Sequence, residues 1–529
     1  MSATKFSKAV SDFVASLFNW MDGSLFFRGF TAFLTFLKQV ALGSFIAHLF
    51  VGEYKSGDRM IGTAKDGVFV RLADRVLNKL PKPFSPPDLT EEPKGLLVRS
   101  LTGSYFINQT LTCLGIPLPG GGKQPLVTAL KWALFAAPVL GIALVVLATP
   151  ILPTMMLAML LVPTIVFAFL SRSFEVTQLT VFLMLFIAIN LVAGALSLVP
   201  VSSMQIAVLV SVFMATAILI PACCKSAESI DVLFLAFLAG SGLTGLVGLY
   251  QVVGRYVTGG AWLDHDTFVD IELRVSSTLG NPNVYGAYLL LAIPLAAAAI
   301  VYFKNILLKV LCAGLTGLLL FNLLMTYSRG CYLGLAFAVG IFVLIMEKRF
   351  VVLFIPALLA LPFVLPASII NRFMSIIDFA NMDTSTIFRI SIWQGSVRML
   401  QDFWMIGLGQ GAEAFNRVYP FYALAASVAE HAHNTFLQMA IELGVLGLLV
   451  FIGFLACFFR MMANFLRRAT DFRHRVVVAA MTAAVIGFLL QGVFDHVFYN
   501  FRVLLTFYVF VGLGMAFISV YSKESADNA

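Results

Sequence analysis

Charge is scarce in this sequence. Asp, Glu, Lys and Arg make up 12% of its 529 residues, against 60% hydrophobic residues and a mean hydropathy of +0.94. Soluble domains average about 25% charge, so this balance excludes a water-soluble globular fold and leaves an integral membrane protein. Cysteine is also scarce. The 6 residues (Cys113, Cys223, Cys224, Cys312, Cys331, Cys457) have neither zinc nor redox spacing and read as small buried hydrophobes. The glycine-rich stretch Gly115–Gly122 is followed by no Gly-Lys-Ser/Thr, which excludes a phosphate-binding loop and leaves a turn-rich connector. No cleavable signal peptide is evident at the start. Histidine is rare too: there are 6, and two of them, His431 and His433, are separated by a single residue.

What is abundant is apolar sequence in runs of about 17–25 residues, each long enough to cross a bilayer as a helix. The runs fall at 132–148, 151–170, 177–199, 204–222, 230–253, 283–302, 306–326, 331–346, 350–369, 435–458, 476–494 and 501–520. The expectation is an all-α polytopic membrane protein of about twelve spans, because a barrel would show shorter alternating segments. Residues 1–130 differ in character. Phe6–Met21 and Val68–Leu80 alternate charged and apolar faces, Pro81–Pro93 is a linker, and Phe30–Val51 could be a hairpin or re-entrant segment. They read as a cytoplasmic, amphipathic region on the inner membrane surface, ahead of a transmembrane domain at 131–522 and a tail at 523–529.

The net charge of +8 does not imply nucleic acid, since the basic residues sit in short loops between apolar runs. With both termini cytoplasmic, Arg172, Lys225, Lys304, Lys309, Lys348, Arg349, the Arg460–Arg475 cluster and Lys523 all fall inside, as the positive-inside rule requires. Two long outer loops remain, about 254–282 and 370–434, the second carrying an amphipathic stretch from Arg389 to Ile406 with Trp393 and Trp404 as interface anchors. These loops and the shorter outer turns hold Arg274, Arg329, Arg389, Asn281, Asn283, His431, His433, Asp495 and His496. Outer arginines run against the topology rule and are candidates for gripping an anion.

Each motif also has a plain structural reading. In Gly280-Asn281-Pro282-Asn283, Asn283 is expected to cap the following helix. Arg329 in Tyr327-Ser328-Arg329-Gly330 either snorkels to headgroups or holds phosphate. Gly407-Leu408-Gly409-Gln410-Gly411 lacks the strand–turn–helix context of a dinucleotide site. Asp264-His265-Asp266 could hold a divalent ion, although three such residues fall together easily in a polar loop. Asn434 is expected to cap the helix after His431-Ala432-His433, while one of the two imidazoles serves as a base near neutral pH.

Taken together, Gly280–Asn283, Tyr327–Gly330, Arg389…Trp393 with Gly407–Gly411, and His431-Ala432-His433-Asn434-Thr435-Phe436-Leu437-Gln438 followed by Glu442-Leu443-Gly444 resemble the O-antigen ligase and O-antigen polymerase superfamily of bacterial envelope glycosyltransferases. The resemblance covers about residues 130–520. It implies an inverting, metal-independent and cofactor-free transfer on the outer face of the bacterial cytoplasmic membrane, from a glycan on undecaprenyl diphosphate to a hydroxyl of a glycan or glycolipid acceptor. On that resemblance Arg274, Arg329 and Arg389 bind the diphosphate, His433 is the base with His431 beside it, and Asn434, Asn281 and Asn283 support them. Membrane lipids surround the chain, and flippase or chain-length proteins are the partners the resemblance allows. A ligase is favoured by the His-x-His-Asn pattern. A polymerase of the same superfamily and a protein O-glycosyltransferase remain open. A transporter would predict mid-span charges and repeated halves, which the sequence does not display.

Overall fold

The computed structural model describes residues 62–63, 138–171, 175–255, 273–347, 349, 384–424 and 429–527. The expected span 350–369, the Asp264-His265-Asp266 triplet and the helices read into residues 1–130 lie outside the described residues. Among the described residues thirteen helices follow in chain order: α1 Pro138–Ala148, α2 Thr154–Ser171, α3 Gln178–Ala195, α4 Pro200–Cys223, α5 Ala227–Gly254, α6 Pro282–Tyr302, α7 Ile306–Met325, α8 Arg329–Met346, α9 Thr384–Phe403, α10 Ala412–Val418, α11 Thr435–Arg468, α12 Phe472–Phe494 and α13 Phe501–Asp527. Nine of these (α3–α8 and α11–α13) are long and apolar enough to cross a membrane, so the fold is an all-α, multi-pass membrane fold. Two strands, Gly62–Thr63 and Glu175–Val176, pair antiparallel as a small addition that the helical expectation did not contain.

Side chains start six of these helices. Thr177, Ser226, Asn281, Asn305, Asn434 and Asp471 each accept a bond from a backbone N–H in the first turn, with Ser226 and Ser229 forming a reciprocal capping box. Each such cap is worth about 1 kcal/mol. The cap of α6 is Asn281 rather than Asn283, a correction with a consequence for the site. Pro282 occupies the first helical position, so the extended residue before it supplies the cap and Asn283 is left free to point elsewhere.

α6, α12 and α13 form the centre, with 78%, 83% and 89% of their apolar windows buried, whereas α7 and α8 are 22% buried among the described residues. The α8–α12 contact brings backbones together. A Cβ on Gly334 would stand 2.7 Å from the Gly487 carbonyl oxygen, and one on Gly487 would stand 2.5 Å from that of Gly334. Where lipid is as apolar as the side chains, such close approach is what holds helices together.

The run 435–458 reads as one straight span, but α11 is broken. Gly444 has φ 72° and ψ 173° in the middle of it. The segment after α9 enters the break: the Leu408 N–H donates to the Ile441 carbonyl (2.8 Å), Gly409 N–H to Glu442 (3.0 Å), and Val445 N–H to Trp404 (2.7 Å). Ser197 and Ser203 fasten the same segment from the α3–α4 corner, donating to the Leu408 and Gln410 carbonyls. Non-helical backbone survives within a bundle only when its polar groups are paired in this way. The Gly407–Gly411 motif is thus a structural strap, and its spacing serves backbone contact with α11.

Gly444→Ala should destabilise the protein by roughly 1–3 kcal/mol, because a left-handed alanine is strained and its Cβ would lie 2.3 Å from the Met405 carbonyl oxygen. Gly314→Ala, which meets nothing within 4 Å, should leave the thermal midpoint in detergent unchanged or higher. Equal losses in the two variants would contradict this account of the break.

Candidate active site

At one end of the bundle four chain segments converge on a single carboxylate. Asp495 caps the C-terminus of α12 and is 7% exposed. Its Oδ1 lies 2.9 Å from His433 Nδ1 and also accepts the His496 N–H at 3.0 Å. Its Oδ2 accepts the Asn283 amide at 3.0 Å and stands 3.7 Å from Arg389 Nη2. Asn283 in turn accepts from Arg274 Nη2 at 2.9 Å, and Arg274 Nε donates to the Thr326 carbonyl at 2.9 Å. Arg329, at the start of α8, reaches Thr386 of α9 at 3.4 Å. Burial alone would raise the Asp495 carboxyl. The His433 hydrogen bond, the Arg389 charge and the two imidazoles outweigh it and hold the group well below the usual carboxylate range.

An ionised carboxylate can only accept, so His433 Nδ1 carries the proton of this bond, and in the neutral imidazole that tautomer leaves the lone pair on Nε2. This is the arrangement of a general base oriented by an acid. The backbone is shaped for it. His433 has φ 47°, a conformation uncommon outside glycine, which marks a position held by its surroundings. Its carbonyl accepts the Trp393 indole at 3.4 Å, so Trp393 supports the site and is more than an interface anchor. Asn434 caps α11 through Phe436 and Leu437 and donates to the Val493 carbonyl at 2.9 Å, tying the start of α11 to the end of α12. Thr435 adds a bond to the Asp495 carbonyl.

His431 is distinct. Its Nδ1 accepts the His433 N–H at 3.2 Å, so its ring proton is on Nε2. Burial, with the neighbouring His433, pushes it down to about 4, and it is neutral at physiological pH. Burial likewise lowers His496. Burial also brings Arg274 down to about 10, and the charges of Arg389 and Arg329 act on it in the same direction, so the three guanidiniums share one neighbourhood.

The structure therefore brings together His433, His431, Arg389, Arg274 and Asn283, with Arg329 on the adjoining helix start. Asn281 caps α6 and donates to the Tyr499 hydroxyl at 3.1 Å. Asp495 was the residue to which sequence reasoning gave no role. Its signal was present as an acid closing an apolar span on the face that carries the arginines. His496 was marked beside it in the same turn, whereas Tyr499 left no comparable mark. Side-chain ligand atoms of His431, His433 and Asp495 lie within 4.8 Å of one another, a spacing that a divalent ion could bridge. His433 Nδ1 and Asp495 Oδ1 are already bonded to each other, and the Arg389 cation stands beside the same carboxylate.

Comparison with known families bears on this end of the molecule. Residues 314–452 match the family model described as O-antigen ligase. The chain carries an O-antigen ligase domain. That O-antigen ligase match includes Arg329, Arg389, His431, His433, Asn434 and the break at Gly444, and it supports an enzymatic role of this general class. It ends before Asp495 and begins after Arg274 and Asn283, so those three join the site through the fold. No curated protein matches the chain.

Two buried neutral imidazoles give a pH dependence of known sign. On acidification the unfolded chain takes up protons near pH 6.5, while folded His431 resists until about pH 4. Stability from this source is full above about pH 6.5 and is lost as pH falls toward 4. Asp495, held below its ordinary 3.8, contributes losses only as pH falls below that value. The thermal midpoint in detergent should fall between pH 6.5 and 4.5, and His431→Gln should flatten the slope. A flat wild-type profile would contradict the buried neutral pair.

Proposed function

We propose that this protein transfers a glycan from undecaprenyl diphosphate to an acceptor hydroxyl at the outer face of the bacterial cytoplasmic membrane, as an O-antigen ligase-like, inverting and metal-independent glycosyltransferase. The observation that carries the reading is the His433–Asp495 pair with the Arg389 guanidinium 3.7 Å from the same carboxylate and Arg274 linked to it through Asn283. The charge pattern of the loops supports the outward orientation with both termini cytoplasmic.

The acceptor O–H gives its proton to His433 Nε2 as its oxygen attacks the anomeric carbon. The bond from that carbon to the diphosphate oxygen breaks, and the electron pair leaves with the lipid diphosphate. Asp495 holds the imidazole in the competent tautomer and stabilises the imidazolium that forms. Negative charge developing on the leaving group is met by Arg389, Arg274 and Arg329, placed before the reaction begins, which is the role a metal ion would otherwise fill. One displacement inverts the anomeric centre.

With purified protein and a lipid-linked glycan donor, His433→Ala should lower transfer by about 10²–10⁴-fold while leaving membrane insertion intact. Arg389→Ala should impair donor use, and EDTA should leave the rate unchanged. Full activity in His433→Ala would remove the base assignment. Loss in EDTA restored by a divalent ion would move the chemistry to the His431–His433–Asp495 ligand set. In cells lacking the protein, long glycan accumulating on the carrier fits a ligase, and single repeat units would point to a polymerase.

A further inference from the structure

Gln438 and Glu442, two polar side chains of α11 that precede its break, take no part in the steps above. Polar residues inside an apolar span need a reason, and both are joined to the loop that carries His433. Ala432, between the two histidines, is fully buried, so its N–H must find an acceptor within the protein. It donates to Gln438 Oε1 at 2.7 Å. Because a backbone N–H can only donate, this bond fixes which way the Gln438 amide faces, with Nε2 directed away from Ala432. Nε2 donates to Glu442 Oε1 at 3.0 Å, and the same oxygen accepts the Gly411 N–H of the strap at 3.2 Å. Gln438 is itself buried, where an unpaired amide would be costly.

A chain of hydrogen bonds therefore runs from the strap through Glu442 and Gln438 to the backbone just ahead of His433. The location matters because His433 has φ 47°. A left-handed residue other than glycine persists only where its surroundings hold it. On its N-terminal side the Gln438 amide takes the Ala432 N–H, and His431 Nδ1 takes the His433 N–H at 3.2 Å. On the other side the Trp393 indole holds the His433 carbonyl. Rotation about φ turns the Cα–Cβ bond relative to the preceding peptide. Releasing that peptide would thus carry the imidazole off Asp495 Oδ1, which its Nδ1 meets at 2.9 Å.

We propose that Gln438 and Glu442 are positioning residues for the base: Glu442 aims the Gln438 amide, and Gln438 holds Ala432 so that His433 keeps the backbone conformation that sets Nδ1 on Asp495. Neither touches the reacting atoms. Their part in catalysis rests on the transfer reading above; their hold on the His433 ring does not. Since the Gly411 N–H shares Glu442 Oε1, the same chain ties the strap to the base as well as to α11.

The test uses the full-length protein in detergent. Gln438→Leu keeps the side-chain volume and removes the amide. It should lower kcat for transfer about 10- to 100-fold with the KM for the lipid-linked donor unchanged. In a His433→Ala background the same change should cost nothing further, whereas a general loss of fold would lower the residual rate again. Gln438→Glu sets two carboxyl groups against each other and should also be impaired. Adding Glu442→Gln to it rebuilds every bond of the chain with the roles exchanged and should recover most of kcat. Independently of turnover, the 6 histidines can be labelled selectively with ¹⁵N and His433 assigned by its absence in His433→Ala. Its ring should be in the Nδ1–H form in wild type and a mixture of tautomers in Gln438→Leu. A His433 signal or a kcat unmoved by Gln438→Leu would overturn the proposal. So would a loss that the exchanged pair does not recover, or one that recurs in full without His433. Wild-type protein whose His433 signal responds to Gln438→Leu but which transfers no glycan would refute the transfer reading instead.

Discussion

A buried carboxylate that stays ionised is the constraint on which the rest of this structure depends. Removing a charge from water costs several kcal/mol unless partners replace the lost solvation. Asp495 is surrounded by partners from three distant parts of the chain, His433 ahead of α11, Arg389 on α9 and Asn283 on α6, and by the His496 N–H that follows it. Each partner is useful chemically because it is fixed by the same anion. The imidazole is held in one tautomer, and the guanidinium of Arg389 is held beside it. Asn283 passes the constraint on to Arg274.

The helical frame exists in the form that this convergence requires. Close glycine packing sets α12 against α8, and the break at Gly444 lets the strap after α9 lock into α11. Because α9 carries Arg389 and Trp393 while α11 begins just after His433, the strap controls the register between the base and its cationic neighbour. A small error there would be felt at the site, since positioning within about an ångström governs such transfers.

Much of the frame was readable. Runs of apolar residues announced α3–α8 and α11–α13, and rarity alone drew attention to His431 and His433. The arginines stood out because outer-loop cations run against topology. What could not be read was set by distance along the chain. Asp495 lies 62 positions from His433, and nothing local to either residue marks the pair. Asn283 was assigned to capping because a cap is a local function and a contact with Asp495 is not. Gly444 sits in a sequence that would also suit an unbroken helix, and its positive φ follows from the strap that occupies the break.

The most direct test is a double-mutant cycle on glycan transfer with His433→Ala, Asp495→Asn and the pair together. If Asp495 acts through His433, the double variant loses no more than His433→Ala alone, the non-additivity expected of residues working as one unit. Losses that multiply would show two independent contributions and contradict the account.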